Sequence, residues 1–283
     1  MPFKQVIVEY EAFSEALEPK AAFGNRNKFG HRIGQNPDGK KAVAYFVASQ
    51  FAVEGSSIFA TDGSSTFYVC LAMALCSFEF EREFDLLTNN VGLAQELEAQ
   101  PYSPFPKVSI RLLGGPFDYT LNACFPPEND GAAWQAVRDA RLSIVSVREL
   151  FIEEGPTSPE TRSCLVKQHA LRSHSELVLP MDWKKLGSQY PRPGSIVFND
   201  SHEWKEILQK ANRKITIVCD KPLDIPDNID SEQKGRQLDA SGFQRQSRAR
   251  WESGTDYERY CWQAYQFSLF PHITFVEVHF RFD

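Results

Sequence analysis

Short apolar runs alternate with longer segments of helical spacing over most of the chain. Runs typical of strands occupy 57–60, 84–88, 106–113, 142–147 and 175–180. Segments typical of helices occupy 40–54, 67–78, 91–99 and 132–138, and another extends through His174 from a cap at Thr157 or Ser158. Strands that alternate with helices in this way predict an α/β fold, a mostly parallel sheet with helices on both faces.

Both ends of the chain add a strand to this pattern. Residues 3–10 read as a strand, and 272–283 alternate with four apolar residues on one face, Val276, Val278, Phe280 and Phe282. We expect these two strands to pair with each other in an antiparallel addition beside the main sheet. A helix at 257–270, crowded with aromatic residues, precedes the last strand.

Residues 221–260 interrupt the pattern with a polar stretch of mixed charge. Such a stretch is too polar to form a core, which predicts a loop, a lid or a partly disordered insertion. Its arginines, Arg245, Arg248 and Arg250, either close over an anionic ligand or form a solvated face. The chain thus divides into an N-terminal strand and extension at 1–38, an α/β domain at 39–220, and a loop, helix and strand at 221–283.

The turn Asp62-Gly63-Ser64-Ser65-Thr66 joins an apolar strand directly to a helix. A helix N-terminus presents backbone N–H groups without partners and the positive end of the helix dipole, which together favour anions, most often phosphate. The alternative is an ordinary loop in which Ser64 or Ser65 caps the helix.

Three other strand ends carry small, polar or charged residues. They are Thr88-Asn89-Asn90, Gly114-Gly115 and the segment from Asp182 to Lys185. Ligands of open parallel sheets bind beyond the carboxyl ends of the strands. Each of these segments alone is typical of loops, but four at corresponding strand ends predict a pocket.

The ordered set of motifs resembles the sugar-phosphate sensor domain of DeoR-type bacterial regulators. Residues 61–65 stand where that family has Asp-Ser-Gly-Thr-Thr, 87–90 resemble its Thr-Asn-Ser element, and 111–115 its Leu-Gly-Gly. Residues 178–187 resemble its Leu-x-Asp-x-Ser-Lys-Phe-Gly motif, and 215–220 its late strand. The resemblance covers about residues 39–220 and implies the fold shared by ribose-5-phosphate isomerase, CoA transferases and these sensors.

The resemblance also implies roles for individual residues. Backbone N–H groups and the hydroxyls of Ser64, Ser65 and Thr66 would hold a phosphate, with Lys185 as a positive charge. Asp62 and Asp182 would accept hydrogen bonds from sugar hydroxyls, beside the amide of Asn89. Without the family context Lys185 is better explained as a solvated lysine, and Glu160 as a residue at a helix start rather than a catalytic base.

Two departures from the family pattern matter. Nothing before Gly39 resembles the DNA-binding winged helix of the regulators, so we expect no direct nucleic-acid contact by this chain. Trp183-Lys184 replaces a pair of small residues before Lys185, which predicts a bulkier pocket rim.

Composition narrows the function classes. A net charge of -6 is unfavourable for nucleic-acid binding. No apolar stretch is long enough to cross a membrane, and the N-terminus is unlike a signal peptide. The six cysteines form no CxxC pair and the histidines have no metal-ligand spacing, so we expect reduced thiols, no metal, no cofactor and a cytoplasmic protein.

The leading hypothesis is that the chain binds a phosphorylated sugar or a related anionic metabolite, without a DNA-binding region of its own. An alternative is an enzyme of the same fold, of the phosphosugar isomerase type, with Asp62, Asp182 or Glu160 as the general base. A third is a non-catalytic interaction module or homo-oligomer that uses the terminal strands and residues 221–260.

Overall fold

The computed structural model describes residues 3–9, 17–21, 23, 28–100, 107–186, 191, 194–197, 201–210, 213–220 and 256–281. Its strands are β1 (Phe3–Glu9), β2 (Ser56–Ala60), β3 (Phe84–Thr88), β4 (Val108–Leu112), β5 (Phe117–Asp118), β6 (Ala123–Cys124), β7 (Leu142–Ile144), β8 (Leu150–Phe151), β9 (Gly155–Ser158), β10 (Glu176–Met181), β11 (Ile196–Val197), β12 (Ile215–Asp220) and β13 (Ile273–Arg281). Its helices are α1 (Lys28–Ile33), α2 (Pro37–Phe51), α3 (Ser64–Phe80), α4 (Val91–Ala99), α5 (Gly131–Asp139), α6 (Thr161–Arg172), α7 (Ser201–Gln209) and α8 (Asp256–Ser268), with a 3₁₀ turn at Trp183–Lys185.

Eight strands form one parallel sheet in the order β1-β13-β12-β10-β7-β2-β3-β4. The α/β architecture expected from the hydrophobic pattern is therefore confirmed. Because all eight strands run in the same direction, their carboxyl ends meet at one edge of the sheet. That edge brings together the segments after β2, β7 and β10 with Asp220, the last residue of β12.

Helices cover both faces of the sheet, and each face has its own core. On one face, α2, α3 and α4 pack on strand residues such as Ile58, Leu86 and Val178. On the other face, α5, α6, α7 and α8 pack on alternate strand residues such as Phe59 and Leu179. Strands buried on both faces form continuous apolar runs, which explains why the inner strands were recognisable from the sequence.

The direction predicted for the two terminal strands is wrong. β1 pairs with β13 in parallel, with Phe3 opposite Phe275, and β13 also pairs in parallel with β12. Alternation of apolar residues indicates a strand but not its direction, which depends on the connection. Because α8 lies between β12 and β13 in the chain, the connection is a crossover of the kind that joins parallel strands.

Both capping predictions are also wrong. The N-cap of α3 is Gly63, with no side-chain capping bond, so neither Ser64 nor Ser65 caps the helix. Thr157 and Ser158 lie in β9, where Thr157 pairs with Val197 of β11, and α6 begins at Thr161 after its N-cap Glu160. β9 lies between the two-residue strand β8 and β11, which comes from a distant segment of the chain, so the local sequence gave little indication of this strand.

Some predictions lie outside the described residues. The polar stretch at 221–255, with Arg245, Arg248 and Arg250, belongs to this part of the chain, as does Phe282. Among the described helices, none is both long and apolar enough to cross a bilayer.

Candidate functional site

A cavity of about 760 Å³ opens at the carboxyl edge of the sheet. Its walls come from α1, from the start of α2, from the turns after β2, β7 and β10, and from α6. Seven Lys and Arg side chains line it, against three carboxylates, in a chain whose net charge is -6. The cavity is therefore locally cationic and suited to an anion.

Gly63 forms the part of the cavity floor where β2 turns into α3. Its φ is +132°, and a Cβ added there would lie 2.4 Å from Oγ of Ser146. The first intrahelical bond of α3 runs from N of Phe67 to O of Gly63, over 3.0 Å. The N–H groups of Ser64, Ser65 and Thr66 precede that bond, so the helix start offers donors to an anion in the cavity.

Asp62 is buried and already held by three side chains. Oγ of Ser163 donates to both carboxylate oxygens, over 3.0 and 2.8 Å, and Nδ2 of Asn89 donates to Oδ1 over 3.1 Å. Nζ of Lys167, itself buried, lies 4.0 Å from Oδ2. The backbone N–H of Asp62 donates in turn to Oδ1 of Asn89 over 2.6 Å. Asp62 therefore fixes the turn and pairs with a buried lysine.

Asn36, the N-cap of α2, connects two carboxylates at neighbouring strand ends. Its Nδ2 donates to Oδ2 of Asp182 and to Oδ2 of Asp220, each over 2.7 Å. The second oxygens of these carboxylates accept from backbone N–H groups of Lys184 and Trp183. Asp182 thus holds the turn that carries Lys185. Burial and then the charge of Asp182 raise the pKa of Asp220 to about 7.

Lys40 and Lys185 bring two ammonium groups to the same cavity. Burial, followed by the charge of Lys185, lowers the pKa of Lys40 to about 7. Burial also lowers the pKa of Lys185 to about 8, with further lowering by Lys167 and Arg32 and an opposing effect of Asp182. Nζ of Lys185 lies 3.5 Å from Oγ of Ser65, and Nζ of Lys40 donates to the carbonyl oxygens of Arg32 and Gln35. Since crowded cations repel one another, an anion placed between them would relieve an electrostatic cost.

We name the cationic side chains in two groups. Arg32, Lys40, Lys167 and Lys185, which are buried or half-buried, are the inner cations. The exposed Lys28 and Lys184, together with the half-buried Arg148 on the turn after β7, are the outer cations. Lys28 is 56% exposed and pairs with Glu160 over 2.6 Å, and Nε of Arg148 lies 3.8 Å from Oε1 of Glu149. The positive charge therefore extends from the floor of the cavity to its mouth.

The structure brings six of the residues predicted from the sequence into the lining of this cavity: Asp62, Gly63, Ser64, Glu160, Asp182 and Lys185. Ser65 is buried beside Lys185. The hydroxyls of Thr66 and Thr88 donate to backbone carbonyl oxygens, of Thr61 and Ala60 respectively, and Asn89 holds Asp62. These three side chains therefore support the turn from within the protein.

Gly114 and Gly115 lie apart from the residues that line the cavity. Both have positive φ, +84° and +88°, and a Cβ on Gly115 would lie 2.2 Å from the carbonyl oxygen of Phe125. Position 115 requires glycine because the chain there passes close to the backbone of Phe125, the residue that follows β6. A ligand role for either glycine stays a prediction.

Sequence reasoning missed Arg32, Asn36, Lys40 and Lys167. Arg32 and Asn36 precede the helix predicted at 40–54, in a segment whose weak hydrophobic pattern indicated no helix or strand, and Lys40 is the first residue of that predicted helix. Lys167 follows Ser163 by four residues, and residues four apart on a helix share a face. That spacing within α6 was the available indication that both side chains meet Asp62. Within the described ranges, no group of three or more His, Cys, Asp or Glu residues is placed to hold a metal ion.

Comparison with known proteins gives only distant similarities. No protein-family model matches the chain, and no characterised protein matches it by sequence. Among solved structures, ribose 5-phosphate isomerase A from Methanocaldococcus jannaschii is similar at 12% identity and a TM-score of 0.38, over 56% of this chain and 59% of that one. Ribose 5-phosphate isomerase from Plasmodium falciparum (15% identity, TM-score 0.35) covers 52% of this chain and 51% of that one. eIF2B beta from Chaetomium thermophilum (13% identity, TM-score 0.33) covers 52% and 42% respectively.

The chain thus spans between about two fifths and three fifths of the length of these structures. Similarity at this level carries no argument about activity, and the α/β architecture stands on the strand order of the chain itself. The resemblance to DeoR-type sensors stays a prediction.

Proposed function

We propose that the chain binds a phosphorylated sugar or a related anionic metabolite in the cavity at the start of α3. The observation that supports this most directly is the lining of seven cationic side chains against three carboxylates in an acidic chain. An excess of positive charge inside a pocket costs free energy unless an anion offsets it.

The geometry suggests where each part of such a ligand lies. A phosphoryl group fits at the N-terminus of α3, where the N–H groups of Ser64 and Ser65 precede the first intrahelical bond. Lys185 and Arg32 then supply charge from two sides. The hydroxyl-bearing part of the ligand would extend toward Asp182, and Asp62, already held by three partners, would keep the floor in place.

A thermal-shift screen with sugar monophosphates and the matching unphosphorylated sugars tests this proposal. A ligand at 100 times its Kd stabilises a protein by about 2.7 kcal/mol, which raises Tm by several degrees. We expect such a shift with a sugar phosphate and none with the free sugar, and its loss in Lys185→Gln. The matched control is Lys205→Gln, an exposed lysine on α7 outside the cavity. Absence of any shift, or a shift that persists unchanged in Lys185→Gln, would contradict the proposal.

An isomerase-type enzyme is the second candidate, because three carboxylates line the same cavity. Proton transfer between neighbouring carbons needs a base that can reach the ligand. Glu160 fits this need best: its carboxylate is 34% exposed and its partner Lys28 is a surface lysine, whereas Asp62 and Asp182 are held by several donors. Turnover of an aldose phosphate that is lost in Glu160→Gln, with binding retained, supports catalysis. Binding without turnover in the unaltered chain rules it out.

A further inference from the structure

We infer that the ligand of this cavity carries two phosphoryl groups, one held by the inner cations and one by the outer cations. This inference rests on the proposed function and names its ligand class more closely. It starts from the charge of the lining, in which cationic side chains exceed carboxylates by four. A phosphoryl group carries a charge of about -1.5 to -2 near neutral pH, so one group offsets at most half of that excess.

The inner cations account for the first phosphoryl group. Lys167 pairs with Asp62 within the wall, which leaves Arg32, Lys40 and Lys185 around the start of α3. Lys185 and Arg32 both lower the pKa of Lys40, and Arg32 also lowers that of Lys185, so all three lie around the same region of the cavity. Asp182 offsets part of their charge from the turn below. The positive charge that remains is about equal to the negative charge of one phosphoryl dianion.

The outer cations account for the second phosphoryl group. Arg148 follows β7, beside the floor residue Ser146, and its side chain is 26% exposed, so it is open to solvent in the cavity wall. The neighbouring Glu149 carboxylate is fully buried, and its Oε2 accepts from Thr157 and Ser195. Its orientation is thus fixed on the side of the small β8-β9 sheet rather than in the cavity.

Lys28, at the start of α1, adds a second cation to this outer group. It is paired with Glu160, but both side chains are substantially exposed, and such ion pairs contribute only about 0 to 1 kcal/mol. A phosphoryl group with two charges competes well for such a lysine. A cavity of about 760 Å³ also has room for a sugar with a phosphate at each end.

Isothermal titration with fructose 6-phosphate and fructose 1,6-bisphosphate tests the inference, since the two probes differ by one phosphoryl group. We expect the bisphosphate to bind roughly tenfold more tightly, which corresponds to about 1.4 kcal/mol. In Arg148→Gln the ratio of the two affinities should fall toward one, and Arg148→Lys should restore most of it. Lys185→Gln should weaken both probes. Lys205→Gln, away from the cavity, controls for the general loss of a positive charge.

Each outcome decides between the two proposals. Equal affinities for the two probes would overturn the inference and leave the proposed function standing. A preference for the bisphosphate that survives unchanged in Arg148→Gln and in Lys28→Gln would also overturn it, because the second phosphoryl group would then be bound elsewhere. If neither probe, nor any other sugar phosphate or bisphosphate, binds the unaltered chain, both proposals fail together.

Discussion

Position 63 has two requirements that only glycine meets, a positive φ and the absence of a Cβ. Its φ of +132° is unfavourable for any residue with a Cβ, and that Cβ would lie 2.4 Å from Oγ and 2.7 Å from Cβ of Ser146. The close approach to Ser146 joins the carboxyl ends of β2 and β7 at the floor of the cavity. A single backbone position thus sets both the start of α3 and the shape of the floor.

We expect Gly63→Ala to destabilise the chain by about 1 to 3 kcal/mol, because strained backbone and a steric conflict add at this site. Urea unfolding measures the change. Gly131→Ala is the matched control, since a Cβ at Gly131 meets no atom within 4 Å. A second substitution, Ser146→Ala, should recover part of the loss by removing Oγ. Equal stability of Gly63→Ala and Gly131→Ala would contradict this account of the floor.

Lys40 and Lys185 make anion binding depend on pH. Their pKa values, lowered to about 7 and about 8, should rise when an anion binds, so that binding takes up protons. Affinity for a sugar phosphate should therefore fall as pH rises through about 7 to 9, since the free chain then loses protons that the complex keeps. Titration calorimetry in buffers of different ionisation enthalpy measures this uptake. Lys185→Gln should reduce it, and an uptake of zero in the unaltered chain would refute the idea.

Elements with long, regular apolar patterns were the ones that the sequence revealed. β3 and α4 match their predicted bounds, 84–88 and 91–99, because both are flanked by polar residues and carry a clear period. The six-residue α1 and the two-residue strands β5, β6, β8 and β11 are too short to show a period. Tertiary contacts stabilise such short elements, so the local sequence gives little indication of where they form.

The same limit applies to the candidate site. Asp62, Gly63 and Lys185 could be predicted because they follow strand ends, and strand ends converge in a parallel sheet. Arg32 comes from the short helix α1, and Lys40 from the first turns of α2. The helical period of a sequence shows which residues share a polar face. It does not show whether that face lines a cavity or meets water.

Glu96 of α4 holds residues 20 and 21, which are distant in sequence, against the helices on one face of the sheet. Its carboxylate is fully buried and accepts from the backbone N–H groups of Lys20 and Ala21, over 2.7 and 2.9 Å, and from the side chain of Gln100. A buried carboxylate with three donors stabilises the contact, whereas loss of the acceptor leaves backbone donors without partners.

Glu96→Ala should therefore lower the free energy of unfolding by about 2 kcal/mol or more. Glu98→Ala, an exposed glutamate on the same helix, serves as the control for helix propensity and charge. Chemical denaturation of the two variants side by side gives the comparison. Similar losses in both would show that the contacts of Glu96 contribute little.

At the scale of the molecule, β13 lies between β12 and β1, inside the sheet rather than beside it. The residues around Glu277 are buried on both faces, and Glu277 itself accepts from the hydroxyl of Tyr260 over 2.8 Å. Their regular alternation indicated a strand, which we expected beside the main sheet. Its position depends on α8 and on pairing with two other strands, which are long-range contacts that a local pattern cannot show.

A fragment of residues 39–220 should consequently fail to fold cooperatively. Without β13, one edge of β12 has no hydrogen-bond partner. Without α8, the part of the sheet face that this helix covers is exposed to water. Circular dichroism and heteronuclear NMR of the fragment and of the full chain test this. A fragment with dispersed signals and a single sharp melting transition would show instead that 39–220 is an independent unit.

The pairing of β1 with β13 also bears on how the chain folds during synthesis. Phe3 of β1 pairs with Phe275 of β13, so β1 has no pairing partner until β13 has been synthesised. Contacts between such distant positions slow folding, because a long loop must close before they form. Until then β1 is an unpaired strand beside a nearly finished sheet. The vulnerable period of this protein is therefore the interval between the synthesis of β1 and that of β13, when chaperone binding to residues 3–9 would protect it most.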